Sequence, residues 1–170
     1  MMTKEVLVTI RGLQFVSQED EAEPVEVVTP GEYYFKNGSH YLLFEELTEG
    51  FTESTRNMMK FRKGHLEVRK KGLIDVNMVY ELNKKTMSYY HTPFGVMHMG
   101  IFATSFEQTE REHEIELKID YALEMNEAFV ADCSIYIQIQ SREAGNFRLN
   151  LPTEDEEHTM MRVNASDPLQ

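Results

Sequence analysis

Val6, Val8 and Ile10 alternate with Leu7, Thr9 and Arg11, a period of two that predicts a strand with one buried face. The same period recurs as far as Gln140, with no convincing helical stretch between. It is clearest near the end, where Ile115, Leu117, Ile119, Tyr121, Leu123 and Met125 alternate with Glu114, Glu116, Lys118, Asp120 and Glu124. Cys133, Ile135, Ile137 and Ile139 then alternate with Asp132, Ser134, Tyr136, Gln138 and Gln140. Strict alternation of this kind sorts each strand into an apolar inner face and a wet outer one.

The breaks between these runs read as turns. Asn37-Gly38 stands between Val25–Lys36 and Tyr41–Glu46, and Asn-Gly in that setting is a strong hairpin signal because both residues tolerate positive φ. Lys63-Gly64 turns Glu53–Phe61 back into His65–Lys71, Glu81 to Lys84 separates Asp75–Tyr80 from Thr86–His91, and Thr92-Pro93-Phe94-Gly95 leads into Val96–Phe106. Proline early and glycine late suit such a reversal. The acidic run Gln18–Pro24 reads as a solvated connection. Long strands in up-and-down order favour closure, which removes exposed sheet edges. The fold expected for residues 1–140 is therefore all-β, a closed antiparallel up-and-down barrel of about eight to ten strands. Beyond Gln140 come Gly145, Pro152, the run Thr153–Glu157 and Pro168. Residues 141–170 are expected to be an acidic, largely flexible tail, with Phe147, Leu149 and Leu151 available for a short extra strand.

At 170 residues the chain fits one domain with a core that needs no disulfide or metal staple. Its single cysteine, Cys133, agrees with a reducing cytoplasm. No apolar run approaches the roughly 18 residues of a membrane span, and the start, Met1 to Glu5, has no signal-peptide pattern, so the protein is expected in the cytoplasm and off the membrane. A formal net charge of -12 argues against nucleic acid or anionic lipid as the main partner.

Several short blocks carry a family resemblance: Gly64-His65-Leu66-Glu67-Val68-Arg69-Lys70-Lys71-Gly72, then Asn77, Tyr80, Thr86, Tyr90 and Thr92-Pro93-Phe94-Gly95. With Glu32-Tyr33-Tyr34 before the Asn-Gly turn, and Tyr41-Leu42 and Glu45-Glu46 after it, the stretch from Val6 to Gln140 resembles the YwiB-like domain-of-unknown-function group, DUF1934. The resemblance implies a lipocalin-like, calycin-type β-barrel in a bacterial cytoplasm. It implies no catalytic residues, and the acidic tail lies outside it.

The residues themselves point to binding rather than catalysis. In a barrel, inward tyrosines can line a cavity and orient a ligand; of Tyr33, Tyr34, Tyr41, Tyr80, Tyr89, Tyr90 and Tyr121, the candidates are Tyr34, Tyr41 and Tyr90, which lie in the family-like blocks. Arg69 or Lys70 could pair with a ligand carboxylate or phosphate at the rim. The expected partner is a small molecule, the chain being a monomer or a homodimer, with no cofactor. The alternative is a protein- or RNA-interaction module using the outer wall, the acidic tail or the basic hairpin 56–71, where Arg56, Lys60, Arg62, Lys63, Arg69, Lys70 and Lys71 crowd together; charge on the outer face of a barrel hairpin is usually just solvated, and nothing here matches an RNA-binding signature. His91 and His98 flank one turn, with Glu107 or His113 nearby in sequence, but a zinc site needs three or four converging ligands and no metal site is assigned. Cys133 falls on an apolar face, where a thiol acts as a small hydrophobe. Glu45 and Glu46 point to opposite faces and form no glycosidase-type pair.

Overall fold

The computed structural model describes residues 2–14, 23–48 and 50–142. These contain ten strands, β1 (Glu5–Gln14), β2 (Glu23–Lys36), β3 (Ser39–Leu47), β4 (Ser54–Arg62), β5 (His65–Gly72), β6 (Val76–Glu81), β7 (Lys85–Thr92), β8 (Gly95–Glu110), β9 (Glu114–Met125) and β10 (Ala128–Ser141). The expected connection over 18–24 and the tail lie outside the described residues, save for Glu23 and Pro24 at the start of β2 and for Ser141 and Arg142. All ladders between described strands are antiparallel and join chain neighbours, except that β1 also pairs with β10. The sheet thus runs β6-β5-β4-β3-β2-β1-β10-β9-β8-β7 and curls into a nearly closed barrel.

The turn chemistry is as the sequence predicts. Asn37 and Gly38 both have positive φ (53° and 76°), the geometry of a two-residue hairpin whose twist matches its strands. Around Pro93, the Thr92 hydroxyl accepts from the Phe94 N–H (3.1 Å) and donates to the Gly95 carbonyl (3.0 Å).

Closure is incomplete at one seam. β6 and β7 share no continuous ladder; Asp75 and His91 exchange two backbone hydrogen bonds at one end (3.1 and 2.9 Å), and the Thr86 hydroxyl donates to the Val79 carbonyl towards the other. The connecting loop holds the strands apart, because Leu82 N–H is drawn to the Gly64 carbonyl (3.0 Å) and Asn83 N–H to the Ala103 carbonyl (2.8 Å). Two bulges modify the alternation, one between Ala103 and Ser105 and one between Phe129 and Ala131. An extra residue reverses which face the following positions occupy, so Phe106, Gln108 and Glu110 continue the inward row of Ile101 and Ala103.

The core fills the barrel from Val6, Val8, Leu42, Ile115, Leu117, Ile137 and Ile139, all essentially buried. Outward positions carry Arg56, Arg62, Arg69, Lys118 and Asp120, all exposed, the reverse of a lipid-facing barrel. No described helix is long and apolar enough to cross a membrane.

The end carrying turns 37–38, 63–64 and 111–113 is plugged. Here the buried His40 ring stacks on Phe61 (centroids 4.6 Å apart), its Nδ1 lies 2.7 Å from the Tyr33 hydroxyl and its Nε2 lies 3.3 Å from Glu110 Oε1. A neutral imidazole satisfies both, Nε2–H donating to the carboxylate and Nδ1 accepting from the phenol. Burial holds the His40 pKa below its ordinary value, Glu110 only partly opposing it. The unfolded chain therefore takes up this proton first, near about pH 6.5, and stability falls as pH drops through the window below that value. Thermal unfolding measured between about pH 7 and pH 5 should show this loss, and His40→Gln should flatten that part of the slope; an unchanged slope would place the proton uptake elsewhere.

Candidate functional site

The β3–β4, β5–β6, β7–β8 and β9–β10 connections lie at the opposite end, the mouth. Between this mouth and the plug lies a cavity of about 200 Å³. Apolar walls come from Ile10, Val68, Ile101 and Leu123, and thioethers come from Met59, Met78, Met97, Met99 and Met125. Strand alternation explains the gathering: Met59 follows the inward parity of Phe61, Met78 that of Tyr80, and Met99 that of Ile101. Gly12, Ser134, Met97 and Met125 are only half-buried, so the space reaches the loop end of the barrel. Unbranched methionines adapt to a guest's shape and make favourable sulfur–aromatic contacts.

Two polar clusters stand in these walls. On one side Tyr80 meets Tyr121 edge-on (5.0 Å between centroids), and Cys133 stands opposite Tyr121 in the β9–β10 ladder. Burial pushes the Tyr80 phenol up to about 12 and raises Tyr121 and Cys133 as well. These groups stay neutral near pH 7 and the thiol is a poor nucleophile.

On the other side β3, β4 and β5 place Glu46, Asn57 and Lys70 on the inner face, 7%, 0% and 4% exposed. Lys70 Nζ donates to Glu46 Oε1 (3.1 Å), and Asn57 Nδ2 donates to the same oxygen (3.0 Å). Asn57 and Lys70 line the cavity. Tyr90 lines it too, its phenol raised first by burial and then by the charge of Glu46. Beside this cluster the Thr55 hydroxyl accepts from Ile74 N–H (3.3 Å). Glu46 Oε2 and Asn57 Oδ1 are buried with no hydrogen-bond partner among the described residues.

The five candidate positions separate by register. Tyr90 and Lys70 reach the cavity. Tyr34 and Tyr41 face each other across β2 and β3 on the outer wall, because the inward position of that stretch is Tyr33. Tyr34 donates to Glu32 Oε2 (2.8 Å) and lies under the Lys4 ammonium, while Lys60 stands over the Tyr41 ring (5.6 Å). Arg69 is exposed, its neighbour Lys70 having the inward place. The Lys70 ammonium is engaged by a carboxylate of the protein itself, so Asn57 is the acceptor on this wall and Glu46 the carboxylate behind it; both are absent from the sequence-based candidates. Their signal was present: Glu46 shares the parity of Leu42 and Phe44, and Asn57 that of Met59 and Phe61.

On the outer surface, Tyr89 stacks on His98 (4.8 Å) and His91 is tied through its backbone to Asp75. No group of three or more His, Cys, Asp or Glu suited to a metal gathers among the described residues.

Residues 8–137 match the domain of unknown function DUF1934. The chain is similar to the uncharacterized β-barrel protein YwiB of Bacillus subtilis (strain 168), with 21% identity over 126 residues, 74% of this chain and 87% of that protein. It also resembles the crystal structure of the ywiB protein from B. subtilis, with a TM-score of 0.68 at 18% identity, covering 81% of this chain and 92% of that one. At that identity the likeness speaks for the fold.

Proposed function

The chain belongs to the DUF1934 family, and from that premise of a shared barrel without a stated reaction we propose that it binds a small, largely apolar molecule, about one aromatic ring in size, inside the barrel. The carrying observation is the cavity of about 200 Å³ walled by methionines and aliphatic side chains. An apolar cavity of about 150 Å³ already accommodates benzene. Apolar walls with a few placed polar groups are the usual make-up of a ligand pocket. Catalysis has less support, because the cavity's thiol and phenols are raised in pKa and held neutral. The lone cysteine, buried and inward, supports a reducing cytoplasmic setting.

Titration of methyl-¹³C-methionine protein with p-xylene tests this reading. Saturable shifts are expected at Met59, Met78, Met97, Met99 and Met125, with Met58 and Met87, which lie outside the cavity, as controls. Val68→Phe, which places a ring in the same space, should abolish the shifts in a folded protein. Shifts that never saturate, or that appear equally at Met58 and Met87, would refute interior binding.

A further inference from the structure

Most of the cavity wall is apolar, and the Glu46–Asn57–Lys70 cluster is the part of it that carries charge. Its two unpartnered atoms, Glu46 Oε2 and Asn57 Oδ1, are both acceptors. The Asn57 orientation follows from chemistry: its NH₂ group is 3.0 Å from an acceptor-only carboxylate, so a flipped amide would set oxygen against oxygen. The amide oxygen therefore belongs to a residue of the cavity wall, with the carboxylate held directly beside it. Buried acceptors without donors are costly, and a donor brought in by a guest relieves that cost.

The charge state narrows the class of donor. Lys70 and Glu46 form an ion pair at 3.1 Å, so the cluster is already neutral overall. A second cation would have to be desolvated beside the Lys70 ammonium, and an anionic head would set its lone pairs against the two free oxygens.

We propose that the barrel's ligand carries a neutral hydrogen-bond donor, a hydroxyl or an amide- or indole-type N–H, on its apolar body, and that this donor binds Asn57 Oδ1 at the cavity wall. The inference rests on the interior-binding reading above and specifies the ligand that site selects. Tyr90 and Lys70 border the head group, and the methionines receive the ring.

The test compares p-cresol with p-xylene, which differ by a hydroxyl in place of a methyl, on the full chain with the methionine methyl signals as readout. A purely apolar pocket favours p-xylene, the more hydrophobic of the two. The site described here should reverse the order, p-cresol binding about threefold more tightly, because relief of the unpaired buried acceptor outweighs the hydrophobic advantage of one methyl. Asn57→Leu should restore the preference for p-xylene. The wild-type comparison stands alone if that variant does not fold. The charged analogues 4-methylbenzylammonium and p-toluate should both bind more weakly than p-cresol. If p-xylene binds as well as p-cresol, or if either charged analogue binds best, the head-group inference fails while interior binding stands. If neither p-xylene nor p-cresol gives saturable shifts, interior binding itself fails and this inference with it.

Discussion

Lys70→Met is expected to lower the free energy of unfolding by about 3–5 kcal/mol, the usual consequence of removing one member of a buried ion pair. Lys70 and Glu46 side chains are only 5% and 6% exposed, so the remaining carboxylate cannot recover its loss by hydration. The amide of Asn57 would then be the remaining described donor to Glu46 Oε1. Replacing both charges, as in the Glu46→Leu, Lys70→Met double variant, should return most of the lost stability, because matched apolar groups no longer require desolvation of an ion. Chemical denaturation of the wild type, both single variants and the double variant gives the coupling between the two positions. Additive losses would mean that the two side chains do not act as a buried pair.

Phe61→Ala should cost a similar amount, about 3–5 kcal/mol, for a different reason. Phe61 is 1% exposed and forms the stacking surface of His40 at the plugged end. Truncation leaves a void that the surrounding strands cannot fill, since neighbouring Leu42 and Leu66 are already fully buried and held in ladders on both sides. It also removes the face that keeps the imidazole between Tyr33 and Glu110. Denaturant titration at about pH 7 measures the loss; a cost below about 1 kcal/mol would show that the plug repacks freely. The contrast with the other end is instructive, because cavity-lining methionines have empty space on one side and their truncation removes fewer contacts.

The barrel was legible because its strands alternate so regularly. Leu117 to Leu123 and Cys133 to Ile139 could face only one core, and Asn37-Gly38 could make only a tight turn. Register was harder to read. Tyr33 and Tyr34 are equally plausible inward residues until the pairing of Leu42 with Tyr33 is known, and that pairing puts Tyr34 outside. The bulge after Ala103 reverses the later part of β8 and sends Glu110 towards His40, a contact no simple period predicts. The seam between β6 and β7 depends on where Leu82 and Asn83 find hydrogen-bond partners, which are distant in sequence. Glu46 and Asn57 were readable as polar residues at inward positions, yet only the folded structure shows that they meet and leave two oxygens facing unsatisfied. Their parity identified an anomaly; the contacts gave it chemical meaning.

Binding inside the barrel depends on its methionine-lined half being hollow. Xenon enters apolar cavities of this kind, so diffraction from crystals of the full chain pressurised with xenon tests the point directly. A xenon atom is expected inside the barrel, among Met78, Met99 and Tyr121. Methionine side chains closed over that space, with no xenon within the barrel, would contradict it.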